Sequence, residues 1–417
     1  MASTPATSEL DPLLSDEGWP YASALPVEPG DPGRFHALFG RDSLITSLQV
    51  LPVRPEVARS ALRALAQRQG TRDDPEIEEE PGKIGHEFRD APPASFAAAG
   101  YHPASRNGFR YYGSADATAW WLVVLAATAD RGLAAELEPA WQAAAGWLEE
   151  ALDRGGGYVR HGAGAPPGSL SQQGWRDTID PTGEAAYGGG IVRPDGSAPQ
   201  PPLADADTQA VAYAALQALA ALSGEARWRQ RAEELAERIE ADFGPEIMAL
   251  EGDGTPVPGA GTQLGWLLWA GAVRGAVAEA LAERLVQPDL LTPHGLRTLS
   301  SAHPRFDPHA YHRGAIWPFD SWIAWGGLRA AGRAEEAEAA RTGVLRALDA
   351  FAGAPECYAV TLAGELERIE IANRVQAWTV GARWALCERW DGRRPHSGVT
   401  QATRPARRSR MRSRAET

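Results

Sequence analysis

Apolar residues recur along this chain at helical spacing, and the stretches that carry them come in pairs. Val211, Ala215, Ala218 and Leu222 stand at i, i+4, i+7 and i+11. Trp228, Ala232, Leu235 and Ile239 repeat that interval, and Val344, Leu348 and Phe351 share it. Such spacing gives each helix one apolar stripe. It predicts eleven helices, over 42–52, 55–69, 115–130, 134–152, 206–222, 225–241, 262–271, 276–287, 314–331, 334–352 and 371–390. The N-terminal segment, or a division of one of these, would supply a twelfth. Asp205 and Asp207 offer a cap ahead of 206–222, and Ser223-Gly224 ends that helix as a C-terminal glycine should. Strand signals are sparse and confined to the longer connections.

Those connections alternate in length. Short ones fall at Val53-Arg54, near 131–133, at Ser223-Gly224, near 272–275 and at Ala331-Gly332-Arg333. Long ones cover 70–114, 153–205, 243–262, 288–313 and 353–370. In a ring of helical hairpins every second connection lies on the same end, so all the long segments would meet at one mouth. An open solenoid would show a fixed repeat period, and no internal repeat is present. The expected fold is therefore an all-α (α/α)6 toroid of six hairpins. Small residues such as those in Ala324-Trp325-Gly326-Gly327 would let its helices approach closely.

Composition narrows the partners. The 417 residues exceed an ordinary single core, yet no linker divides them, and 44% hydrophobic content supports one large closed body. We expect an N-terminal extension over 1–34, a catalytic domain over 35–391 and a basic, solvated tail over 392–417. From Asp391 onward eight Arg face only Asp391 and Glu416, within a total charge of -13. A negative body argues against nucleic acid and anionic membranes as partners. Two cysteines make no disulfide framework. The chain shows neither a membrane-length apolar run nor a signal peptide. A soluble cytoplasmic protein is expected, with no cofactor and with a homo-oligomer left open.

The chemistry should lie in the long loops. Gly174-Trp175-Arg176-Asp177-Thr178-Ile179-Asp180 puts an aromatic beside two carboxyls. An aromatic offers a sugar a face to stack on and desolvates an acid, which raises its pKa as a general acid requires. Asp177 and Asp180 both remain open for that part. Pro355-Glu356-Cys357-Tyr358 supplies a second carboxyl with little local charge to pair with, and Glu365, Glu367 and Glu370 compete with Glu356. Two carboxyls flanking a glycosidic bond are the general solution for glycoside hydrolysis. Asp177 and Glu356 lie 179 residues apart, so only ring closure could bring them together. Asp307-Pro308-His309-Ala310-Tyr311-His312-Arg313-Gly314-Ala315-Ile316-Trp317-Pro318 adds stacking and polar groups. Its histidines, with His303, match no zinc spacing. Asp42 reads equally as a helix-start cap or a ligand contact. The run Asp73–Glu80 reads as a solvated acidic loop, since Pro75 breaks the helix a metal-binding reading needs.

Six motifs occur in a specific order: Phe39-Gly40-Arg41-Asp42-Ser43-Leu44-Ile45, Glu80–Glu87, Tyr111–Asp116, Gly174–Asp177, Tyr311–Pro318 and Gln376-Ala377-Trp378. Together, over roughly 35–390, they resemble the (α/α)6-barrel glycosidases. The nearest groups are mannosylglycerate hydrolase-like enzymes and the catalytic domains of bacterial amylo-α-1,6-glucosidases of the glycogen debranching type. The resemblance implies an inverting hydrolase with Asp177 as general acid and Glu356 as general base. It implies a sugar pocket lined by Asp42, Tyr311, Trp317 and Gln376, with Arg41, His86, Glu87, Tyr111, Asp116, Trp175, Arg193, His312 and Arg313 as further substrate-binding positions. His312 stands where related hydrolases commonly carry Trp. Only about 35 residues precede Phe39, which leaves no room for the N-terminal domain usual in debranching proteins. A small substrate is therefore expected, mannosylglycerate or glucosylglycerate, whose carboxylate would call for one of Arg89, Arg110, Arg193 and Arg313. Amylo-α-1,6-glucosidase action on limit dextrin is the alternative. A non-catalytic sugar-binding toroid, and an epimerase using His86, His309 or His312, are the rivals from other classes.

Overall fold

Paired helices with short and long connections in alternation resolve into two concentric rings. The computed structural model describes residues 7–26, 34–103, 108–183 and 189–393. In chain order the helices are α1 (Gly40–Val50), α2 (Pro55–Ala66), the short α3 (Ala94–Ala98), α4 (Ala117–Thr128), the short α5 (Arg131–Glu136) and α6 (Glu138–Arg154). They continue with α7 (Ala206–Ser223), α8 (Ala226–Asp242), α9 (Gln263–Ala270), α10 (Gly275–Leu285), α11 (Pro318–Ala330), α12 (Ala334–Phe351) and α13 (Ala377–Glu388).

Six of these close the inner ring. Helix α1 packs on α4, α4 on α7, α7 on α9, α9 on α11, α11 on α13, and α13 returns to α1. Inner helices are buried nearly all round; every residue of α1 is buried. Outer helices have one buried stripe. In α8 it is Trp228, Ala232, Leu235, Ala236 and Ile239. Helices α2, α6, α8, α10 and α12 fill five outer positions, and the N-terminal 3-10 helix Thr7–Leu13 packs on α13 with Leu10 and Leu13 buried. That segment supplies the twelfth element. The expected all-α toroid is therefore the fold observed.

Aromatic side chains fill the bore. The Trp175 ring stacks parallel to Trp266 at 6.1 Å, Trp120 meets Trp266 edge-on at 5.8 Å, and Phe319 stacks on Trp378 at 3.9 Å. Edge-to-face and offset geometries suit the ring quadrupole. This packing gives many of the 15 Trp a structural duty.

Small antiparallel sheets stiffen the long loops. Strands β1 (Leu38–Phe39), β2 (Glu87–Arg89) and β3 (Phe109–Tyr111) pair in that order, with Phe39 opposite Glu87 and Glu87 opposite Tyr111. Strands β4 (Ala204–Asp205), β5 (Ile247–Leu250) and β6 (Pro256–Pro258) form a second sheet. Two hairpins, β7 (Leu291–Thr292) with β8 (Gly295–Leu296) and β9 (Tyr358–Val360) with β10 (Leu366–Arg368), complete them.

Some boundaries differ from expectation. Helix α11 begins at Pro318 rather than 314, with that Pro in its first turn. Helix α13 begins at Ala377 rather than 371, because 371–376 is drawn into pairing: Val375 bridges Ala354 and Gln376 bridges Ser23. The predicted 134–152 helix is divided into α5 and α6, with Pro139 in the first turn of α6. Asp205 caps α7 by accepting from the Thr208 N–H at 2.8 Å, whereas Asp207 faces Arg176 and is no cap. Asp42 is not a cap either: α1 has no side-chain cap, and the Asp42 carboxyl reaches Gln376 and Arg41. The basic tail over 392–417 lies outside the described residues beyond Arg393. No helix among the described residues is long and apolar enough to cross a membrane.

Candidate active site

The inner helices all begin at the same end of the ring, and their first turns carry the chemistry. Arg41 and Asp42 open α1, Asp116 precedes α4, Asp205 and Asp207 open α7, Thr262 precedes α9, Asp320 opens α11 and Gln376 precedes α13. Six helix N-termini thus point partial positive charge at one mouth, which suits a carboxylate-rich cluster.

Arg41 is the hub of that cluster. Its guanidinium pairs with Asp177, lies 3.4 Å from Asp116 Oδ1 and 3.9 Å from Asp42 Oδ2, and donates to the Gly174 carbonyl at 2.9 Å. Burial opposes its charge, but Asp116, Asp177 and Asp42 together raise its pKa. Asp177 is the most open member, with 23% of its side chain exposed against 7% for Asp42 and 2% for Asp116. Burial pushes the Asp177 carboxyl up; Arg41 pulls it down without cancelling that, and Asp116 adds to the rise. Asp180 is exposed and spent locally, accepting from the Thr182 N–H at 2.9 Å and hydroxyl at 2.8 Å. Geometry therefore separates the two candidates.

The loop that presents Asp177 is tied down on every side. The Gln173 N–H donates to His161 Nδ1 at 3.2 Å, and His161 Nε2 lies 2.8 Å from Asp205. The Gln173 amide donates to Glu78 at 2.5 Å, and Gln172 exchanges bonds of 2.7 and 2.8 Å with Ile191. Arg176 pairs with Asp207 and donates to the Thr262 hydroxyl at 3.0 Å. His161, Gln173, Asp207, Thr262 and Asp320 were not among the expected site residues. His161, Asp207, Thr262 and Asp320 lack a local motif because each acts on the loop from outside it in sequence, and Gln173 is marked only by distant partners such as Glu78.

Glu356 is buried between two donors. The Tyr311 hydroxyl donates to Oε1, and the Asn373 N–H donates to Oε2 at 2.9 Å. Burial raises the Glu356 pKa; Arg34, Tyr311 and Asn373 lower it, and Asp177 raises it again. The two carboxyls thus lie within each other's electrostatic reach. Asn373 continues the chain of contacts, donating from its amide to Gln376 Oε1 at 3.1 Å, and Gln376 donates to Asp42 at 3.4 Å. Asp42 is pushed up to about 7 by burial, partly offset by Arg41, with Asp177 and Glu356 adding to the rise. The competing carboxyls sit elsewhere: Glu365 and Glu370 are exposed, and Glu367 pairs with His309 at 2.7 Å on the rim.

Other expected residues divide into two groups. Glu87, buried, pairs with Arg89 and is pushed up to about 7 by burial, with Asp177 contributing. His86 lies edge-on to Phe39 at 5.4 Å, and burial, then Arg41 and Arg89, hold its pKa well below the usual range. His312 stacks on Trp317 at 5.6 Å and is held neutral likewise, by burial and then Arg176, Arg41 and Arg313. The second group is turned away. Trp175 and Trp317 are buried behind the cluster, so neither is an open stacking face; Trp317 donates its indole N–H to the Tyr311 carbonyl at 2.7 Å and fixes that residue. Tyr111 donates to Glu78 at 3.1 Å inside a separate apolar cluster. Arg193 is held by Glu251 at 2.6 Å, and Arg110 is exposed on β3. Arg313 is buried and donates to the Gly183 carbonyl at 3.1 Å.

The acidic run also departs from expectation. Glu79 is buried, Glu78 accepts from Tyr111, Ser169 and Gln173, and Glu80 binds Lys83 at 3.1 Å. Its second half is therefore a fastening rather than a solvated loop. Among the described residues no three His, Cys, Asp or Glu side chains gather in a way that could hold a metal ion. A separate groove of about 670 Å³ runs past Asp153, Arg231 and Arg238 between α6 and α8 and contains none of the residues above.

A helical toroid with buried acids at the mouth of its inner ring is the frame of a glycoside hydrolase, and this chain is one. It belongs to the family described as the mannosylglycerate hydrolase MGH1-like glycoside hydrolase domain, whose model matches residues 39–379. No curated protein sequence matches the chain. Among solved structures, it is similar to the GH63 mannosylglycerate hydrolase of Thermus thermophilus. The complex of that enzyme with Tris and D-glycerate superposes at TM-score 0.63 and 16% identity, covering 91% of this chain and 98% of the other. Its complex with glucose gives 0.64 and 18%, covering 92% and 99%. A wild-type glycosidase gives 0.58 and 14%, covering 93% and 95%. At these identities the likeness speaks for the fold.

Proposed function

We propose that this enzyme is an inverting exo-α-glycosidase that releases a sugar from a small α-glycoside, with α-mannosylglycerate or α-glucosylglycerate as substrate. Asp177 protonates the glycosidic oxygen as the bond to the anomeric carbon breaks. Glu356 takes a proton from water, and that water attacks the anomeric carbon from the opposite face. An α-glycoside so yields a β-sugar. One observation carries the reading: Asp177 is the most open carboxyl of the Arg41 cluster, with its pKa raised by burial, and lies within electrostatic reach of a Glu356 held by two donors. A raised acid and a hydrogen-bonded base are what such a pair needs at neutral pH. The reading expects the carboxyl groups about 6.5–9.5 Å apart, leaving room for water; about 5 Å would indicate retention.

The substrate choice draws on the family and on the relative that binds D-glycerate and glucose. Proton NMR of the enzyme with mannosylglycerate, glucosylglycerate, isomaltose and a branched limit dextrin tests both parts. A β-anomer appearing first from a glycerate conjugate supports the proposal. The same product from the dextrin alone moves the function to debranching. An α-anomer appearing first refutes inversion.

A further inference from the structure

Arg34 stands five residues ahead of the segment that the family model covers, and its contacts lie at the proposed base. The N-terminal segment doubles back on itself before α1: the Ala22 N–H donates to the Ala37 carbonyl at 3.2 Å and the Ser23 N–H to the Phe35 carbonyl at 3.1 Å. It also pairs with the strand leading into α13, since the Ala24 N–H donates to the Val375 carbonyl at 3.0 Å and the Ala377 N–H to the Ala22 carbonyl at 2.8 Å. This pairing sets Arg34 beside Asn373 and Tyr311. The Arg34 N–H donates to Asn373 Oδ1 at 3.2 Å, and its guanidinium donates to the Ile371 carbonyl at 2.5 Å. The guanidinium carbon lies 5.9 Å from the centre of the Tyr311 ring, within range of a cation–π contact. Arg89 donates to the Arg34 carbonyl at 3.1 Å and anchors the residue from β2.

Tyr311 and Asn373 are the two groups that hold Glu356, and Arg34 touches both. We propose that Arg34 is a positioning residue for the base: its guanidinium, fixed by the Ile371 carbonyl and set near the Tyr311 ring, steadies the tyrosine that holds Glu356 and supplies positive charge on that side of the site. The inference rests on reading Glu356 as the base.

The charges around Glu356 explain the need. Asp177 from the acid loop and Asp42 from α1 are both carboxyls within its electrostatic reach. Tyr311 and Cys357 are held neutral, their pKa values raised first by burial and then by Glu356. Arg41 is committed to Asp42, Asp116 and Asp177. Arg34 is the foremost influence opposing burial at Glu356, ahead of the hydrogen bonds from Tyr311 and Asn373. Without that cation Glu356 would hold its proton to higher pH and could accept one from water only above it.

The test uses the full chain with wild type, Arg34→Met, Arg34→Gln, Arg34→Lys and Glu356→Gln. Protein labelled with ¹³C at the Glu side-chain carboxyl is titrated by NMR, and the Glu356 signal is the one missing from Glu356→Gln. Removing a cation disfavours the ionised form, so Arg34→Met should move the Glu356 midpoint up by about one pH unit. Arg34→Lys should return it most of the way. On mannosylglycerate, the acid limb of kcat/KM should shift upward by the same amount and approach the wild-type rate above it. A purely structural defect would lower the rate at every pH. An unchanged midpoint in Arg34→Met overturns the proposal. If Arg34→Met fails to fold, equal midpoints in Arg34→Gln and Arg34→Lys overturn it instead. Full activity in Glu356→Gln would refute the base assignment, while the titration would still report the charge effect of Arg34.

Discussion

Asp177 is held between burial, which favours its protonated form, and Arg41, which favours the carboxylate; burial prevails. Asp177→Asn and Glu356→Gln should each reduce turnover by roughly 10²–10⁴-fold, the range for loss of a general acid or base. Both substitutions keep size and one acceptor oxygen, so circular dichroism should stay near wild type and the folded state should persist. Near-wild-type turnover in either variant would refute its role. Other acids report on stability. Burial pushes Asp320 up to about 6, against an ordinary value of 3.8, while Arg176, Thr262 and Trp266 pull it down. Between about pH 4 and 6 the folded state therefore binds more protons here than the unfolded chain. Stability from this group is full below the unfolded pKa and is lost as pH rises through the folded one. Asp320→Asn retains an acceptor for the Trp266 indole N–H, bonded at 2.6 Å in wild type. Melting curves at pH 5 and pH 8 should show a smaller fall in Tm for Asp320→Asn than for wild type; an equal or larger fall would contradict the raised value.

Helices α9 and α11 show how small residues decide an element's packing. A Cβ at Gly265 would come 2.5 Å from the Ala324 Cα, and one at Gly327 would meet the Gly265 carbonyl oxygen. Neither neighbour is the flexible end of a side chain, so the inner helices would have to move apart. Gly327→Ala should cost about 1–3 kcal/mol by overpacking, even though Ala is the better helix former. A urea midpoint equal to or above wild type would show that the interface yields. The Ala- and Gly-rich stretch around 324–327 was readable as a close-approach surface before its partner was known. Helix bodies were legible for the same local reason: the apolar stripe is written at 3.6-residue spacing. Their ends were less so, because Val375 and Gln376 leave the predicted helix to pair with residues far away in sequence.

Ring closure is the property of the whole molecule on which the site depends. The last described turn fastens it: the Trp390 indole N–H donates to the Leu48 carbonyl at 2.8 Å, and the Trp269 indole N–H donates to the Asp391 carbonyl at 2.7 Å. Arg393 donates to the Trp269 carbonyl at 3.0 Å. Ending the chain after Arg389 should therefore lower Tm by several degrees relative to ending it after Arg393; equal melting of the two truncations would exclude this fastening. By itself the sequence determined the helices, the alternation of their connections and hence the toroid, because periodicity and loop length are local properties. It also marked Arg41 and Asp42 through a motif at a helix start, and Asp177 and Glu356 through motifs in two long loops. Only the tertiary structure set Asp177 on Arg41 and left Asp180 exposed, buried Glu356 while Glu365 and Glu370 stayed exposed and Glu367 paired with His309, turned Trp175 and Trp317 into buried supports, bound Arg193 to Glu251 and brought Arg34 to Tyr311. Those outcomes depend on burial and on partners tens to hundreds of residues away, which are set when six hairpins close and no spacing along the chain can encode alone.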